Sequence, residues 1–271
     1  MRKTNIFDGS DLAVFSIGEQ AQGTIITFGS WLKSPYADMP IEKLKGFGEG
    51  AFAYKGFKEI HVIPRKNNWY QCSEMSEVIQ LIKSEIKTQN NWTYGGSMGG
   101  YAAINFSQIL DANFISFSPQ FSVNKRIVPF ENRWVSDRSS IDFMCDHICQ
   151  KISRSGFVFF DPYSLDHQHA QLIKNYTAAA LVPCAFAGHK VLRYIQDAHG
   201  AFNLVFHILQ TGALPQSLRV NLRANRGVSS IYLSHLHKYC IARQHHRKNG
   251  DLYKKFSEVV GARLHDLIKD N

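Results

Sequence analysis

Apolar positions along the first 210 residues of this chain alternate between two rhythms. Short, nearly unbroken apolar runs fall at residues 11–17 (DLAVFSI), 23–28 (GTIITF), 59–64 (EIHVIP), 91–94 (NWTY), 112–118 (ANFISFS), 156–160 (GFVFF) and 178–186. Runs of this length, apolar on both faces, suit strands that are covered on both sides. Segments of helical period lie between them. Within residues 73–88, Met75, Val78, Ile79, Leu81, Ile82 and Ile86 recur at steps of about three and four. Residues 101–110 and 190–209 read the same way, the second interrupted near His199 and Gly200. The alternation predicts an α/β fold: a mostly parallel sheet with flanking helices.

Two stretches depart from that rhythm. Residues 119–153 are irregular and rich in arginine and aromatics, which predicts a short cap inserted into the main domain. From residue 213 on, the pattern is helical: 228–247 and 251–268 read as amphipathic helices joined by Lys248-Asn249-Gly250, a C-terminal helical hairpin. The expected organisation is a main domain over residues 1–212 and a basic helical extension over 213–271.

Composition bounds this picture. With 271 residues and 44% hydrophobic residues the chain can bury one large core. No apolar run approaches the roughly 18 residues that a membrane span needs, and Met1 leads into polar residues instead of an apolar leader segment. A soluble, cytoplasmic protein is expected. The five cysteines (Cys72, Cys145, Cys149, Cys184 and Cys240) are odd in number and scattered, as suits reduced thiols. Cys145 and Cys149 lie four apart, but no second pair at ligand spacing accompanies them, so neither a metal nor another cofactor is expected.

Charge changes the reading of the tail. The chain carries +9, and from Ala213 on eleven Lys or Arg face four Asp or Glu, which puts +7 of the total there. Such a tail suits an anionic partner or a solvated helical surface. It contains no recognisable nucleic-acid-binding module, so nucleic acid is not the expected partner.

The candidate chemistry begins at Tyr94-Gly95-Gly96-Ser97-Met98-Gly99-Gly100. This G-x-S-x-G pattern follows an apolar strand and opens a helix, the context of a nucleophile elbow, whose sharp turn needs small neighbours. No Walker lysine follows the glycines, which argues against a phosphate-binding loop. A serine hydroxyl needs a base, and the base a carboxylate. In this arrangement the order is serine, acid, histidine. His189, in Ala187-Gly188-His189 after the last apolar run, is the candidate base, ahead of His199. Two carboxylates compete: Asp161 ends a strand, and Asp166 stands at a helix start, with Asp166 preferred. The oxyanion donors would be the N–H of Met98 and that of Ser30, with Trp31 second. His167 and His169 lie near both acids, but no third ligand is placed with them. In the cap, Arg133 and Trp134, with Trp31, are candidates for holding a sugar ring or an acidic group.

Phe28-Gly29-Ser30, Gly95-Gly96-Ser97-Met98-Gly99, Asp161 or Asp166, and His189 occur in the order of the α/β-hydrolase superfamily, which the chain resembles over about residues 11–210. It is similar more narrowly to bacterial hydrolase-like proteins found with surface-polysaccharide synthesis. The residues behind that likeness are Asn68-Trp69-Tyr70-Gln71, Tyr94 to Tyr101, Ser118-Pro119-Gln120, Arg133-Trp134, Asp161-Pro162 with Asp166, and Gly188-His189. The resemblance implies a serine esterase or deacylase acting through an acyl-enzyme on a carbohydrate-linked ester or similar small substrate. An acyltransferase to a sugar hydroxyl, and a binding or assembly protein that kept the fold without the catalysis, are the alternatives.

Overall fold

The computed structural model describes residues 1–19, 22–36, 39–245 and 249–269. Arg247, Lys248 and Asp270, counted above in the charge of the tail, lie outside the described residues. The chain divides into two compact units, Met1–Phe159 with Gln168–Val182, and Phe160–His167 with Pro183–Asn271.

The strands are β1 (Thr4–Asp8), β2 (Leu12–Ile17), β3 (Gly23–Phe28), β4 (Phe57–Pro64), β5 (Asn91–Gly96), β6 (Asn113–Phe117), β7 (Ile152–Phe160) and β8 (Thr177–Pro183). They form one eight-stranded sheet in the order β1-β2-β4-β3-β5-β6-β7-β8. β1 and β2 run antiparallel to their neighbours, while β4-β3-β5-β6-β7 pair in parallel. Every residue of β2, β3 and β5 is buried, as unbroken apolar runs require. The mostly parallel sheet anticipated from sequence is the one observed.

The helices of the first unit are α1 (Glu74–Glu85), which buries Met75, Val78, Ile79 and Ile82, then α2 (Met98–Asn105), buried throughout, and α3 (Val135–Arg138), a single turn in the cap segment. α2 begins three residues before its apolar pattern does. Gly99 lets it lie against β3: a Cβ there would stand 2.2 Å from the carbonyl oxygen of Phe28. β1 has no apolar run to announce it, because its TNIFD sequence is half exposed at the sheet edge.

Buried polar groups fasten the loops to this unit. Glu59 and His61 of β4 are fully buried. Glu59 accepts the backbone N–H groups of Gly50, Phe52 and Ala53, while His61 pairs with Glu59 at 3.0 Å and with Thr27 Oγ1 at 2.6 Å. The cap segment is tied at two carboxylates. Asp146 accepts hydroxyl bonds from Tyr101 and Ser122, each 2.8 Å. Glu131 takes the Arg133 guanidinium and, at 2.8 Å, His169 Nε2.

Helix α4 (Asp166–Tyr176) starts in the second unit. That unit continues with α5 (Val191–Ala198), α6 (Ala201–Thr211), α7 (Leu218–Asn225), α8 (Ser230–Arg243) and α9 (Gly250–Lys269). Gly200, at φ +89°, makes the break between α5 and α6 that the sequence suggests. Ser229 caps α8 by accepting the Tyr232 N–H, and α8 packs on α9 through Tyr239 against Tyr253 and a 2.9 Å bond between His237 Nδ1 and the Ser257 carbonyl. Among the described residues, no helix is long and apolar enough to cross a membrane.

Candidate active site

β5 delivers the chain to Ser97 and α2 carries it away. Ser97 has φ +53° and ψ −121°, a backbone state that costs a non-glycine residue about 1–3 kcal/mol and persists only where its surroundings impose it. Those surroundings are visible. The Ser97 N–H donates to Phe117 O of β6 at 2.9 Å, and the Ser97 carbonyl accepts the Tyr101 N–H at 2.9 Å. A Cβ on Gly95 would stand 2.3 Å from Gly99 O, so the elbow demands glycine on both sides of the serine. Met98 is buried at the first position of α2, where a backbone N–H has no acceptor within its own helix.

The loop after β3 is stitched to this elbow. Ser30 Oγ donates to Gly96 O at 2.9 Å. Asn67 holds Leu32 through both its N–H and its carbonyl, and the Tyr70 hydroxyl donates to Gly29 O. Trp31 is partly exposed; its Nε1 donates to Asp137 of α3 at 2.7 Å, and its ring meets Trp134 at 5.7 Å between centroids. Trp134 also meets Trp69, and Trp69 meets Tyr101 of α2. An aromatic path thus links the loop, the cap segment and the elbow helix.

In the second unit His189 Nδ1 and Asp166 Oδ2 lie 2.8 Å apart, with the Asp166 side chain fully buried and that of His189 30% exposed. Donation of the Nδ1 proton to this carboxylate leaves Nε2 carrying the lone pair, the tautomer a general base needs. Asp161 is engaged otherwise. Its Oδ1 accepts the N–H groups of Tyr163 and Phe186, and its Oδ2 that of Gly188 at 2.6 Å. Burial pushes its carboxyl above the ordinary aspartate value, against those three bonds and the charge of His235. Asp161 therefore shapes the 186–188 turn that leads to His189, and Asp166 is the carboxylate in contact with the ring. Gly188 is required there as well: it sits at φ +55°, and a Cβ would lie 2.3 Å from the His235 ring.

The other predicted residues find different company. Arg133 has its own carboxylate, Glu131, so its guanidinium fastens the cap segment. His199 caps α5 beside Asn221, and burial lowers its basicity. His169 sits between Glu131 and the Phe121 N–H, and His167 stacks near Phe160. Among the described residues no group of three His, Cys, Asp or Glu could hold a metal ion.

Three further residues near these elements carry buried polar groups left unmatched. Ser118 Oγ, both amide atoms of Gln120 and Trp69 Nε1 have no hydrogen-bond partner among the described residues. Ser118 and Gln120 directly follow β6, the strand whose Phe117 carbonyl holds Ser97. Such groups cost about 1–3 kcal/mol each when unmatched. In the sequence, Ser118 and Gln120 show only as a polar step after an apolar strand, and Trp69 as part of the Asn68-Trp69-Tyr70-Gln71 segment.

No family model and no curated protein matches the chain. Solved structures do match in fold. The capsule O-acetyltransferase of Neisseria meningitidis serogroup A superposes with a TM-score of 0.52 at 16% identity, over 76% of this chain and 93% of that one. Porphyromonas gingivalis dipeptidyl peptidase 4 gives 0.50 at 13% identity, over 83% of this chain and 35% of its own. A Staphylococcus aureus protein of unknown function gives 0.50 at 12% identity, over 83% and 100%. The chain has an α/β-hydrolase-type fold with added C-terminal helices.

Proposed function

We propose that the protein is a serine-dependent acyl-transfer enzyme, cleaving an ester or acyl group through an acyl-enzyme on Ser97. The observation that carries this reading is Ser97 itself, a serine at φ +53° on the turn between β5 and α2. The His189–Asp166 pair in the second unit supports it.

In the proposed sequence Ser97 Oγ attacks the acyl carbonyl and its proton passes to His189 Nε2. The new oxyanion is met by the N–H groups of Met98 and Ser30. The C–O bond to the leaving alcohol breaks, and that alcohol takes the proton back from His189. Asp166 keeps the ring oriented and stabilises its positive charge. Water, activated by His189, then attacks the acyl-serine and releases the acid. No cofactor enters these steps.

The acceptor defines a second reading, in which a sugar hydroxyl replaces water and the acyl group is transferred. Two observations favour a glycan. The Neisseria enzyme of similar fold is by name a capsule O-acetyltransferase. A cleft of about 600 Å³ presents Asn67, Asn68, Ser136, Asp137 and Asp142 beside apolar wall formed by Pro35, Cys72 and Ile141. Asn67 and Asp137 of that cleft also hold the loop that carries Ser30 and Trp31, so the cleft borders the loop proposed to supply the Ser30 N–H.

The test is a fluorophosphonate probe read by peptide mass, with p-nitrophenyl acetate turnover alongside. Modification at Ser97 and loss of at least about 10³-fold in turnover by Ser97→Ala are expected. An unlabelled Ser97 in folded protein, or turnover surviving in Ser97→Ala, overturns the reading and leaves a binding or assembly role for the fold. Product analysis with and without an acceptor sugar separates transfer from hydrolysis.

A further inference from the structure

The second unit contains a cavity of about 390 Å³ whose lining includes none of the residues proposed for the ester chemistry. Its rim carries three guanidinium groups, Arg219 and Arg223 of α7 and Arg226 just after it. Tyr194, Tyr232 and Leu222 form its walls. We propose that this cavity binds a phosphorylated small molecule, with the arginines holding the phosphoryl group and the tyrosines flanking its ring-shaped body.

The charge balance is the first reason. Arg219 and Arg223 form no ion pair or side-chain hydrogen bond among the described residues. Among the described residues no carboxylate lines the cavity, and Asp197 of α5 is held elsewhere, by Arg193 at 2.9 Å and by the Ser229 hydroxyl at 2.9 Å. Three cations lining one small cavity repel each other, and the repulsion is relieved by an anion that sits among them.

The number of cations is the second reason. A carboxylate brings one charge and two oxygens, whereas a phosphomonoester brings close to two charges and three oxygens. Guanidinium forks match phosphate oxygens in pairs, so the multivalent anion makes better use of three arginines. The walls supply the third reason. Arg226 already lies over the Tyr232 ring, 5.5 Å from its centroid, and the Tyr194 hydroxyl donates to the Leu222 carbonyl at 3.3 Å. Both rings are thereby held in place beside the cations. Cys184, which also lines the cavity, adds no opposing charge, since burial pushes its thiol pKa up. The volume suits one hexose phosphate rather than a polymer segment.

The test reads binding alone, so its failure and the failure of the ester reading are distinguishable. Isothermal titration calorimetry of the full chain with glucose 1-phosphate, inorganic phosphate, glucuronate and glucose reads it directly. Saturable binding of glucose 1-phosphate, no detectable binding of glucose, and a Kd raised at least tenfold in the Arg219→Gln/Arg223→Gln double variant are expected. Both arginines are exposed and α7 packs through Leu218 and Leu222, so the variant keeps its fold, which far-UV circular dichroism verifies. Absence of glucose 1-phosphate binding to the wild type, an unchanged Kd in the double variant, or glucuronate binding as tightly overturns the proposal. Equal affinity for inorganic phosphate likewise overturns it, because the occupant is then a simple anion.

Discussion

At the scale of single residues, two aspartates five positions apart do different work, and mutation separates them. Asp166 touches the His189 ring; the Asp161 carboxylate accepts backbone N–H groups of the neighbouring turns. Under the proposed mechanism Asp166→Asn lowers kcat by about 10⁴-fold, because the amide favours the wrong imidazole tautomer, and thermal stability changes little. Asp161→Asn turns an amide NH₂ toward one of three backbone donors and costs about 1–3 kcal/mol of stability, which a denaturant titration measures. If the two variants exchange these phenotypes, the assignment of acid and brace is reversed. Gln120 offers a complementary test. It is fully buried with neither amide atom matched, so Gln120→Leu raises the melting temperature by a few degrees. If the amide meets substrate, the same change raises KM for the physiological ester, and a gain in stability with unchanged KM assigns it to the scaffold alone.

Elements differ in how plainly they are written in the sequence. β2, β3 and the elbow strand were legible because burial on both faces leaves unbroken apolar runs. β1 was not, since an edge strand keeps half its side chains in water. The start of α2 was hidden by glycines, which serve close approach to β3 and carry no periodicity. Gly99→Ala is therefore expected to destabilise the protein by more than about 1 kcal/mol, against the roughly 1 kcal/mol gain in helix propensity that the swap brings elsewhere. The candidate site divides in the same way. Sequence order narrows the carboxylate to two; the turn at 186–188 that separates them depends on positive φ at Phe186 and Gly188, which no hydrophobic pattern reveals. The Glu59–His61–Thr27 chain inside β3 and β4 was invisible for another reason: its residues interrupt apolar runs without ending them. Burial alone would raise the Glu59 carboxyl. The hydrogen bond and charge of His61, with the N–H groups of Phe52 and Gly50, outweigh it and hold the group below the ordinary glutamate value. A lowered carboxylate stabilises the fold above its unfolded value and loses that contribution as pH falls through its folded value. Glu59→Gln is expected to be less stable at pH 7 and to lose less of its remaining stability between pH 5 and pH 3, as urea titrations at each pH would show. An unchanged acid slope removes Glu59 from the acid response.

For the whole molecule the strongest asymmetry is electrostatic. The chain carries +9 with an isoelectric point near 9.3, and +7 of that charge follows residue 212. Lys254 and Lys255 are exposed on α9, which also exposes Leu252, Phe256 and Val259. Salt screens such charges over about 8–10 Å, so a polyanion senses where the cations sit and not merely their sum. A localised patch and a diffuse net charge make different predictions for heparin chromatography. Lys254→Glu/Lys255→Glu and Lys43→Glu/Lys45→Glu change the net charge equally, and all four lysines are exposed. If the C-terminal helices form the anion-facing surface, the first pair elutes at markedly lower salt than wild type and the second shifts far less. The salt dependence of retention sharpens the comparison, because each cation that contacts the polyanion steepens it through release of a bound counterion. A shallower salt slope for the α9 pair alone locates the contact on the C-terminal helices, whereas equal shifts for both pairs mean that heparin reads only the overall charge.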